Sequence, residues 1–213
     1  SAAAAPRPVD VAHLDSTDQP ETVIADEEPV ADDDVAMLMY TSGTTGKPKG
    51  AMLTHGNFEW KAINMLTAGE GIVPTDSTLA VAPLFHIGGI GLYVLPMLYT
   101  GGTVIVAPAF DPAGTLKLAA DHRVSVLFMV PAMWDAMSKV PDFDGYDLSA
   151  LRCLLCGGAP CPLPVIDFYQ GKGLTFMEGF GMTELAPAAA ILEAQYVRSH
   201  AGSVGRPVLH NDV

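Results

Sequence analysis

LRCLLCGGAPCPLPVIDFYQGKGLTFMEGFGMTE, residues 151–184, decides the fold of this chain. It opens with LRCLLCGG, an apolar run typical of a buried strand, and continues with a helix-like segment, PLPVIDFYQGKG. A second strand-like run, LTFMEGFG, follows, and glycines end both strand-like runs. A strand, a helix and a strand in succession favour a parallel α/β unit.

The same alternation extends back to Val35. VAMLMYT and GAMLTH are predicted strands on either side of a Gly/Thr-rich loop, and Asn57 is placed to cap a helix over FEWKAINMLTAGE. TLAVAPLF, GTVIVAP and VSVLFMV are further predicted strands. The segment after Gly91, PAGTLKLAADH and PAMWDAMSKV are predicted helices, the last with Pro131 in its first turn. The sequence therefore predicts an α/β fold with a mostly parallel sheet flanked by helices.

Composition sets the class of protein and the kinds of partner. The chain has 213 residues, of which 49% are hydrophobic and 16% charged, which favours a folded body over a disordered chain. A net charge of −13 argues against nucleic acid as a partner, because phosphate backbones need basic patches. Ten acidic residues lie in residues 1–34 against Arg7 alone, so we expect an acidic Ala/Pro-rich segment or linker there. A functional acidic tail is the alternative.

The apolar stretch from Ser77 to Phe110 contains no Asp, Glu, Lys or Arg, yet prolines and glycines interrupt it. A buried strand–helix–strand unit explains it better than a transmembrane helix. No secretory signal is visible, so we expect a cytoplasmic protein. Cys153 and Cys156 have zinc-like spacing, but no second Cys/His pair follows, and unligated, reduced thiols are the favoured interpretation, with Cys161 as the third.

The loop YTSGTTGKPKG, from Tyr40 to Gly50, has the chemistry of a phosphate site. It is not a Walker loop, since Lys47 is followed by Pro48 and no glycine stands five residues before Gly46. Glycines let main-chain N–H groups face an anion, hydroxyls add donors, and lysines add charge. The alternative is a hairpin loop with polar filler. The residues predicted to bind phosphate are Thr41, Ser42, Gly43, Thr44, Thr45, Gly46, Lys47 and Lys49.

Glycine-rich segments fall after four predicted strands: TSGTTG, FHIGG, CGGAP and GFGMTE. In parallel α/β sheets, ligands bind at the carboxyl ends of the strands. Together with GSVGRP (residues 202–207), these motifs resemble, in order and spacing, those of the acyl-adenylate-forming (ANL) superfamily. That superfamily includes acyl-CoA synthetases, peptide-synthetase adenylation domains and beetle luciferases. The resemblance runs from about Val35 to the carboxyl end.

The resemblance implies a nucleotide site. Phe180 would stack on adenine, Thr183 would contact the adenylate phosphate, and Glu184, with Thr44, would hold a magnesium ion bridging ATP. A carboxylate among phosphate ligands makes sense mainly with a divalent cation between them, although a lone Glu is ordinarily solvated or an N-cap. The further nucleotide contacts implied are Gly157, Gly158, Ala159, Pro160, Gly179, Gly181 and Met182. Glu178 stands where many relatives have Gln, which indicates either a tolerated side-chain contact or a different substrate preference.

PLFHIGG resembles the superfamily's acid-pocket motif, with Phe85, His86, Gly88, Gly89 and the later Met133 as substrate contacts. His86 stands where amino-acid-activating relatives usually carry Asp, which favours an uncharged acyl or aryl acid; a catalytic or gating role competes with that of a buried core histidine. The apolar residues left open between pocket and core are Ile87, Ile90, Leu92, Met129, Val130, Met133 and Trp134.

The function implied is ATP-dependent activation of a carboxylic acid, foremost a fatty acid, to an acyl-adenylate and then to acyl-CoA. ATP, Mg²⁺ and coenzyme A would be required. Residues 35–213 are predicted to be an incomplete ATP/acyl-adenylate-binding α/β domain, part of a large N-terminal domain, because the later ribose-binding Asp motif and the carboxyl-terminal lysine are not found. We expect this chain to be inactive alone and able to self-associate through apolar surface. The alternatives are adenylation of an aryl or acyl acid for a carrier protein, and a non-catalytic adenylate-binding module.

Overall fold

The computed structural model describes residues 29–42 and 46–211. The predicted acidic segment, residues 1–34, falls mostly outside this range and stays a prediction. Its last residues form a turn in which Asp34 Oδ2 accepts a hydrogen bond from the Ala31 N–H at 2.8 Å. That turn leads directly into the first strand.

In the described residues, nine strands form two sheets. β1 (Val35–Thr41) and β2 (Lys49–Thr54) make an antiparallel hairpin of their own. The other seven form one sheet in the order β4-β3-β5-β6-β7-β8-β9, in which β3 to β7 run parallel and the last two strands run antiparallel. Their bounds are β3 (Ser77–Ala80), β4 (Thr103–Val106), β5 (Val126–Met129), β6 (Cys153–Gly157), β7 (Phe176–Gly181), β8 (Ala188–Leu192) and β9 (Arg206–Pro207). The predicted α/β class with a mostly parallel sheet is confirmed.

Helices cover both faces of the seven-stranded sheet. They are α1 (His55–Met65), α2 (Ile87–Gly89), α3 (Leu95–Thr100), α4 (Pro112–Asp121), α5 (Pro131–Ser138), α6 (Leu163–Gly171) and α7 (Ala194–Val197). A π-helical turn, Ile90–Val94, joins α2 to α3, so the buried helix predicted after Gly91 is present in modified form. In the described part of the chain, no helix is long and apolar enough to cross a membrane.

Three local features differ from the predictions. Thr54, rather than Asn57, caps α1: its Oγ1 accepts from the Asn57 N–H, and Asn57 Oδ1 accepts from the Thr54 N–H at 3.0 Å. Asn57 is therefore the third helical residue of a capping box. β3 ends at Ala80, well before the end of the run TLAVAPLF, and β8 was not predicted.

Two apolar layers sandwich the sheet. Side chains of α4, α5 and α6 pack on one face around Trp134, whose ring meets Tyr169 and Phe176 edge-on at centroid distances of 5.0 and 5.4 Å. Side chains of α1 and α3 pack on the other face, with Met65 and Met97 buried there. Cys153 and Cys156 fall in opposite layers because they are three residues apart on one strand, so the two thiols face away from each other.

The amino ends of the parallel strands are joined by an ion pair between the buried Asp76 and the half-buried Arg152. Asp76, just before β3, accepts hydrogen bonds from Arg152 Nε at 2.9 Å and from Arg152 Nη2. Ser125 Oγ, just before β5, donates to the same carboxylate at 2.7 Å, and the Val73 N–H donates at 2.8 Å. This network connects residues at the amino ends of the parallel strands. The glycine-rich loops lie at the other end of the sheet, where the strands have their carboxyl ends.

The β1–β2 hairpin packs near the other end of the sheet, where the parallel strands have their carboxyl ends. Met39 and Leu53 from its buried face pack against Ile87 of α2 and Ala186, which precedes β8. The hairpin thereby places Thr41 and Ser42, at the end of β1, beside the carboxyl ends of the parallel strands.

Candidate active site

One large cavity, of about 660 Å³, lies at the carboxyl edge of the parallel strands. Its walls come from the loop after β3, the carboxyl ends of β5, β6 and β7, the loop between β7 and β8, and the end of β1. Parallel α/β sheets bind their ligands at this edge, because the loops that leave successive strands meet there.

The floor of the cavity is apolar and its rim is polar. Leu92, Phe128, Leu155 and Ala188 line the floor, and each is less than one-tenth exposed. The polar side chains of the lining are Thr41, Ser42, His86, Thr183 and Glu184. A ligand with an apolar end and a polar, hydrogen-bonding end matches this division.

His86 stands at the start of α2 with a defined hydrogen bond. Its Nδ1 accepts from the Gly88 N–H at 3.1 Å, which leaves the ring proton of the neutral side chain on Nε2. The ring is exposed and lines the cavity, so it is not a buried core histidine. The adjacent Phe85 is 84% exposed and also lines the cavity. The Nε2–H is available to donate to an acid oxygen.

The turn after β6 and the end of β7 form one wall. Gly157 pairs with Gly179 across the strands, and a Cβ at Gly157 would lie 3.0 Å from the Gly179 carbonyl oxygen, so the backbones meet without side chains between them. Gly158 has a φ of +87°, which lets the chain turn sharply. Phe180 follows on β7 and is 42% exposed, which leaves a ring face open for stacking.

Glu178 stabilises this turn through a hydrogen bond. Its Oε1 accepts a hydrogen bond from the Cys161 N–H at 2.8 Å. The Glu178 carboxylate on β7 therefore binds the end of the turn that begins after Cys156. Burial raises the pKa of Glu178, and the hydrogen bond from Cys161 opposes that shift. The side chain therefore has a positional role beneath the cavity wall, and Gln could serve as the same acceptor.

The segment after β7 carries Thr183 and Glu184 on a single 3-10 turn, Thr183–Leu185. The chain doubles back there: the Met182 N–H donates to the Pro187 carbonyl at 3.0 Å. A Cβ at Gly181 would lie 1.8 Å from the same oxygen, so only glycine fits. The reversal turns both polar side chains to the cavity.

This chain is similar to known proteins in both sequence and fold. The family model described as AMP-binding enzyme matches residues 3–213. The chain belongs to the AMP-binding enzyme family. A feruloyl-CoA synthase of an Amycolatopsis species is 46% identical over 193 residues, covering 89% of this chain and 39% of the synthase. The chain thus spans about two fifths of the length of that relative.

Solved structures of the family share this fold. The inhibitor-bound N-terminal domain of FACL13 from Mycobacterium tuberculosis superposes with a TM-score of 0.80 at 31% identity, covering 87% of this chain and 46% of that one. The o-succinylbenzoate CoA synthetase (MenE) of Bacillus subtilis, in complex with ATP and a magnesium ion, gives 0.73 at 32% identity, covering 84% and 37%.

Most residues predicted for an AMP-binding enzyme site meet in the cavity. Those on its lining are Thr41, Ser42, Phe85, His86, Gly88, Gly89, Met133, Gly157, Gly158, Gly179, Phe180, Gly181, Met182, Thr183 and Glu184. The predicted residues that do not line it are Gly46, Lys47, Lys49, Ala159 and Pro160. Gly43, Thr44 and Thr45 lie outside the described residues, so their phosphate and metal roles stay predictions.

The apolar residues left open between pocket and core divide in the structure. Ile87, Leu92, Val130 and Met133 line the cavity. Met129 and Trp134 are fully buried in the layer on the opposite side of the sheet, and Ile90 packs beside the hairpin. Adjacent side chains alternate sides on β5, and on α5 they are about 100° apart around the helix, so the runs FMV and MW are each divided between cavity and core.

Sequence reasoning missed part of the cavity lining. Phe128 and Leu155 lie within uniformly apolar strands, where the run alone does not tell which side chains face the ligand. Two-residue alternation offers a signal, since Phe128 shares a side with Val130, and Leu155 with Gly157. Ala188 was missed with β8, and Ala82, Pro83 and Pro187 complete the set.

A magnesium ion fits the donor set only together with ligand phosphates. Within the described ranges, no three Asp, Glu, His or Cys side chains cluster as a metal site. Glu184 is the acidic side chain of the cavity lining. Mg²⁺ is commonly bound by one or two carboxylates plus substrate phosphate oxygens, and one exposed carboxylate beside Thr183 matches that pattern.

Proposed function

We propose that the protein containing this chain activates an aromatic carboxylic acid with ATP and transfers the acyl group to coenzyme A. The observation that carries the proposal is a single cavity whose lining has three parts. They are the exposed Phe180 ring beside the turn at Gly158, the polar loop with Glu184, and the buried apolar floor. These are the parts needed to bind adenine, phosphate and an acid.

Each part has a proposed role. The Phe180 ring and the turn at Gly157 and Gly158 bind adenine, and the Thr183 hydroxyl donates to the phosphate of the adenylate. Glu184 would hold Mg²⁺, which would supply positive charge to the phosphates when bound. His86 Nε2–H donates to an oxygen of the acid and orients its carboxylate toward the α-phosphate. In the reaction, a carboxylate oxygen bonds to that phosphorus, and pyrophosphate leaves.

The acid class rests on the cavity lining. Glu184 is the one acidic side chain on the lining among described residues, and it stands at the polar end, so no carboxylate of the lining is placed to pair with a substrate ammonium. That disfavours amino acids. The flat floor side chain Phe128 beside Leu155 suits a ring, and two of the relatives described above are named for aromatic acids, ferulate and o-succinylbenzoate. A fatty acid is the second candidate, since the floor is uniformly apolar.

The proposal is tested with the full-length gene product in an assay of AMP release with ATP, Mg²⁺ and coenzyme A. The panel contains ferulate, benzoate, octanoate and phenylalanine. We expect kcat/KM for an aromatic acid to exceed that for octanoate by about tenfold or more, the scale at which a pocket of matched shape discriminates. AMP release with phenylalanine alone, or with no acid, would contradict the proposal.

Two companion measurements separate the alternatives. Thioester formation with coenzyme A, compared with loading of a carrier protein, identifies the acceptor. ATP binding without AMP release for any acid would favour a non-catalytic module. For the 213-residue chain alone we propose little or no turnover, and pyrophosphate exchange at the full-length rate would contradict that.

A further inference from the structure

A second, small void lies behind the floor of the cavity. It has a volume of about 10 Å³ and is lined by β3 and the residues after it, by Tyr93 and Val94 of the π-helical turn, and by Phe128 of β5. Three residues, Ala82, Gly89 and Phe128, line both the void and the large cavity. The void and the cavity are therefore neighbours that share one wall.

The Phe128 ring supplies most of that wall. Of the three shared residues, Ala82 has a single methyl as its side chain and Gly89 has no side chain. The Phe128 side chain is large, and the residue is 8% exposed. The partition between the two spaces therefore depends on one ring.

Two glycines fix the position of the Phe128 ring. A Cβ at Gly88, on α2, would lie 3.1 Å from Phe128 Cε1, and a Cβ at Gly157, on β6, would lie 3.3 Å from Phe128 Cε2. Both distances are shorter than ordinary contact between carbon atoms, so a side chain at either glycine would press on the ring. The two edges of the ring thus lie against the backbones of α2 and β6, and the ring spans the gap between these elements.

The void extends from Phe128 toward the amino ends of the strands. Thr78, near the start of β3, belongs to its lining and pairs with Val126, which is two residues before Phe128 on β5. Two residues of a strand span about 6.6 Å, so the lining reaches about that far below the ring. In the π-helical turn over the void, the Leu95 N–H donates to the Ile90 carbonyl, five residues back, and such turns are frequent at functional sites. Loss of the ring would therefore deepen the cavity in this direction.

We propose that Phe128 sets the length of the acid that the enzyme accepts, because its ring closes the cavity against the void. The proposal rests on the proposed function and deepens it. The carboxylate of the acid lies at the polar rim, its apolar end meets the Phe128 ring, and a longer acid is stopped there. A smaller side chain at this position joins the two spaces and admits the longer acid.

The test compares cinnamate with 4-butylcinnamate, which adds an alkyl tail at the end remote from the carboxylate, in assays of AMP release by the full-length gene product. We expect wild type to favour cinnamate in kcat/KM by about tenfold or more, because the tail overfills a closed pocket. Phe128→Ala should raise the ratio of kcat/KM for 4-butylcinnamate to that for cinnamate by about tenfold or more, which corresponds to burial of about two methylene groups.

Leu155→Ala is the matched control. Leu155 belongs to the same floor but does not line the void, so its truncation enlarges the cavity without joining the two spaces. The ratio should then stay within about threefold of that of wild type. Phe128→Leu, which keeps an apolar side chain and disturbs the core less, should raise the ratio by a smaller factor than Phe128→Ala and serves if Phe128→Ala does not fold.

Three results would overturn the inference. In the first, which needs no variant, wild type turns over both acids with equal kcat/KM. In the second, Phe128→Ala and Phe128→Leu still turn over cinnamate but keep the wild-type ratio. In the third, Leu155→Ala raises the ratio as much as Phe128→Ala, so that the size of the cavity alone decides. Failure of the proposed function is distinct, since no aromatic acid would then support AMP release; octanoate and dodecanoate would replace the two cinnamates in the same comparison.

Discussion

Removal of the buried Asp76 carboxylate is expected to cost a large share of the stability of the sheet. Asp76 is 4% exposed and accepts four hydrogen bonds, from Val73, Ser125 and twice from Arg152. Hydrogen bonds to a charged group contribute about 1.5–3 kcal/mol each, and water that fills the space returns part of this. Arg152 keeps its bonds to two carbonyls, Glu70 and Gly71. The Arg152 side chain is 34% exposed, so water can solvate the charge left behind, and Asp76→Ala should lose about 2–4 kcal/mol, less than a fully buried ion pair.

Urea unfolding of wild type and variant measures this loss. The matched control is Asp121→Ala, which removes the i,i+4 pair with Lys117, whose side chains are 68% (Lys117) and 50% (Asp121) exposed. The control should lose about 1 kcal/mol or less. If Asp76→Ala and Asp121→Ala cost the same, the claim that the Asp76 network holds the amino ends of the strands is wrong.

The same network predicts how the difference depends on pH. Burial alone raises the pKa of Asp76, but hydrogen bonds from Arg152, Ser125 and Val73 outweigh it and hold the pKa below its ordinary value. The stabilisation is then complete above the unfolded-state pKa of about 3.9 and is lost as pH falls through the lower folded-state pKa. Wild type and Asp76→Ala should converge in urea midpoint below about pH 4, and a gap that stays constant there would contradict this.

The remaining predictions concern the cavity. Glu184→Gln should lower AMP release by about a hundredfold and raise the Mg²⁺ requirement, measured by titration of the metal; an unchanged Mg²⁺ dependence would remove Glu184 as the metal ligand. Trp134→Ala should lose about 3–5 kcal/mol in urea unfolding, whereas Met133→Ala should mainly change KM for the acid; the reverse pattern would contradict their placement in core and cavity. Glu178→Gln should keep KM for ATP within about twofold, while Glu178→Ala, which removes the acceptor for the Cys161 N–H, should raise it severalfold; equal behaviour of the two variants would refute the role in the turn.

Local patterns predicted most of the parallel part of the fold. Strands β5, β6 and β7 are short apolar runs that end in turn residues or glycines, and each helix between them has apolar positions at helical spacing. The motifs that follow these strands meet in the cavity because parallel strands end at one edge. β8 escaped prediction because its sequence AAAIL is mostly alanine, which favours helices, and pairing with β7 overrides that preference.

Contacts between distant residues could not be predicted in this way. Asp76 and Arg152 are 76 positions apart, and Lys61 and Ala188 are 127 apart. Nothing local marks Lys61 as buried, since lysine is ordinarily exposed on a helix. The floor of the cavity is formed by residues that are far apart in sequence. Each nucleotide motif, by contrast, is a continuous stretch of sequence. The sequence therefore predicted which residues of the glycine-rich motifs line the cavity better than which residues form its apolar floor.

The most direct test of the central claim is a crystal structure of the full-length gene product with a non-hydrolysable acyl-sulfamate analogue of feruloyl-adenylate. We predict that adenine lies against Phe180 and the turn at Gly158, that the sulfamate lies beside Thr183, and that the acyl ring rests on Phe128 and Leu155. An analogue bound outside this cavity, or bound with its acyl group at the rim and its adenine on the apolar floor, would contradict the account.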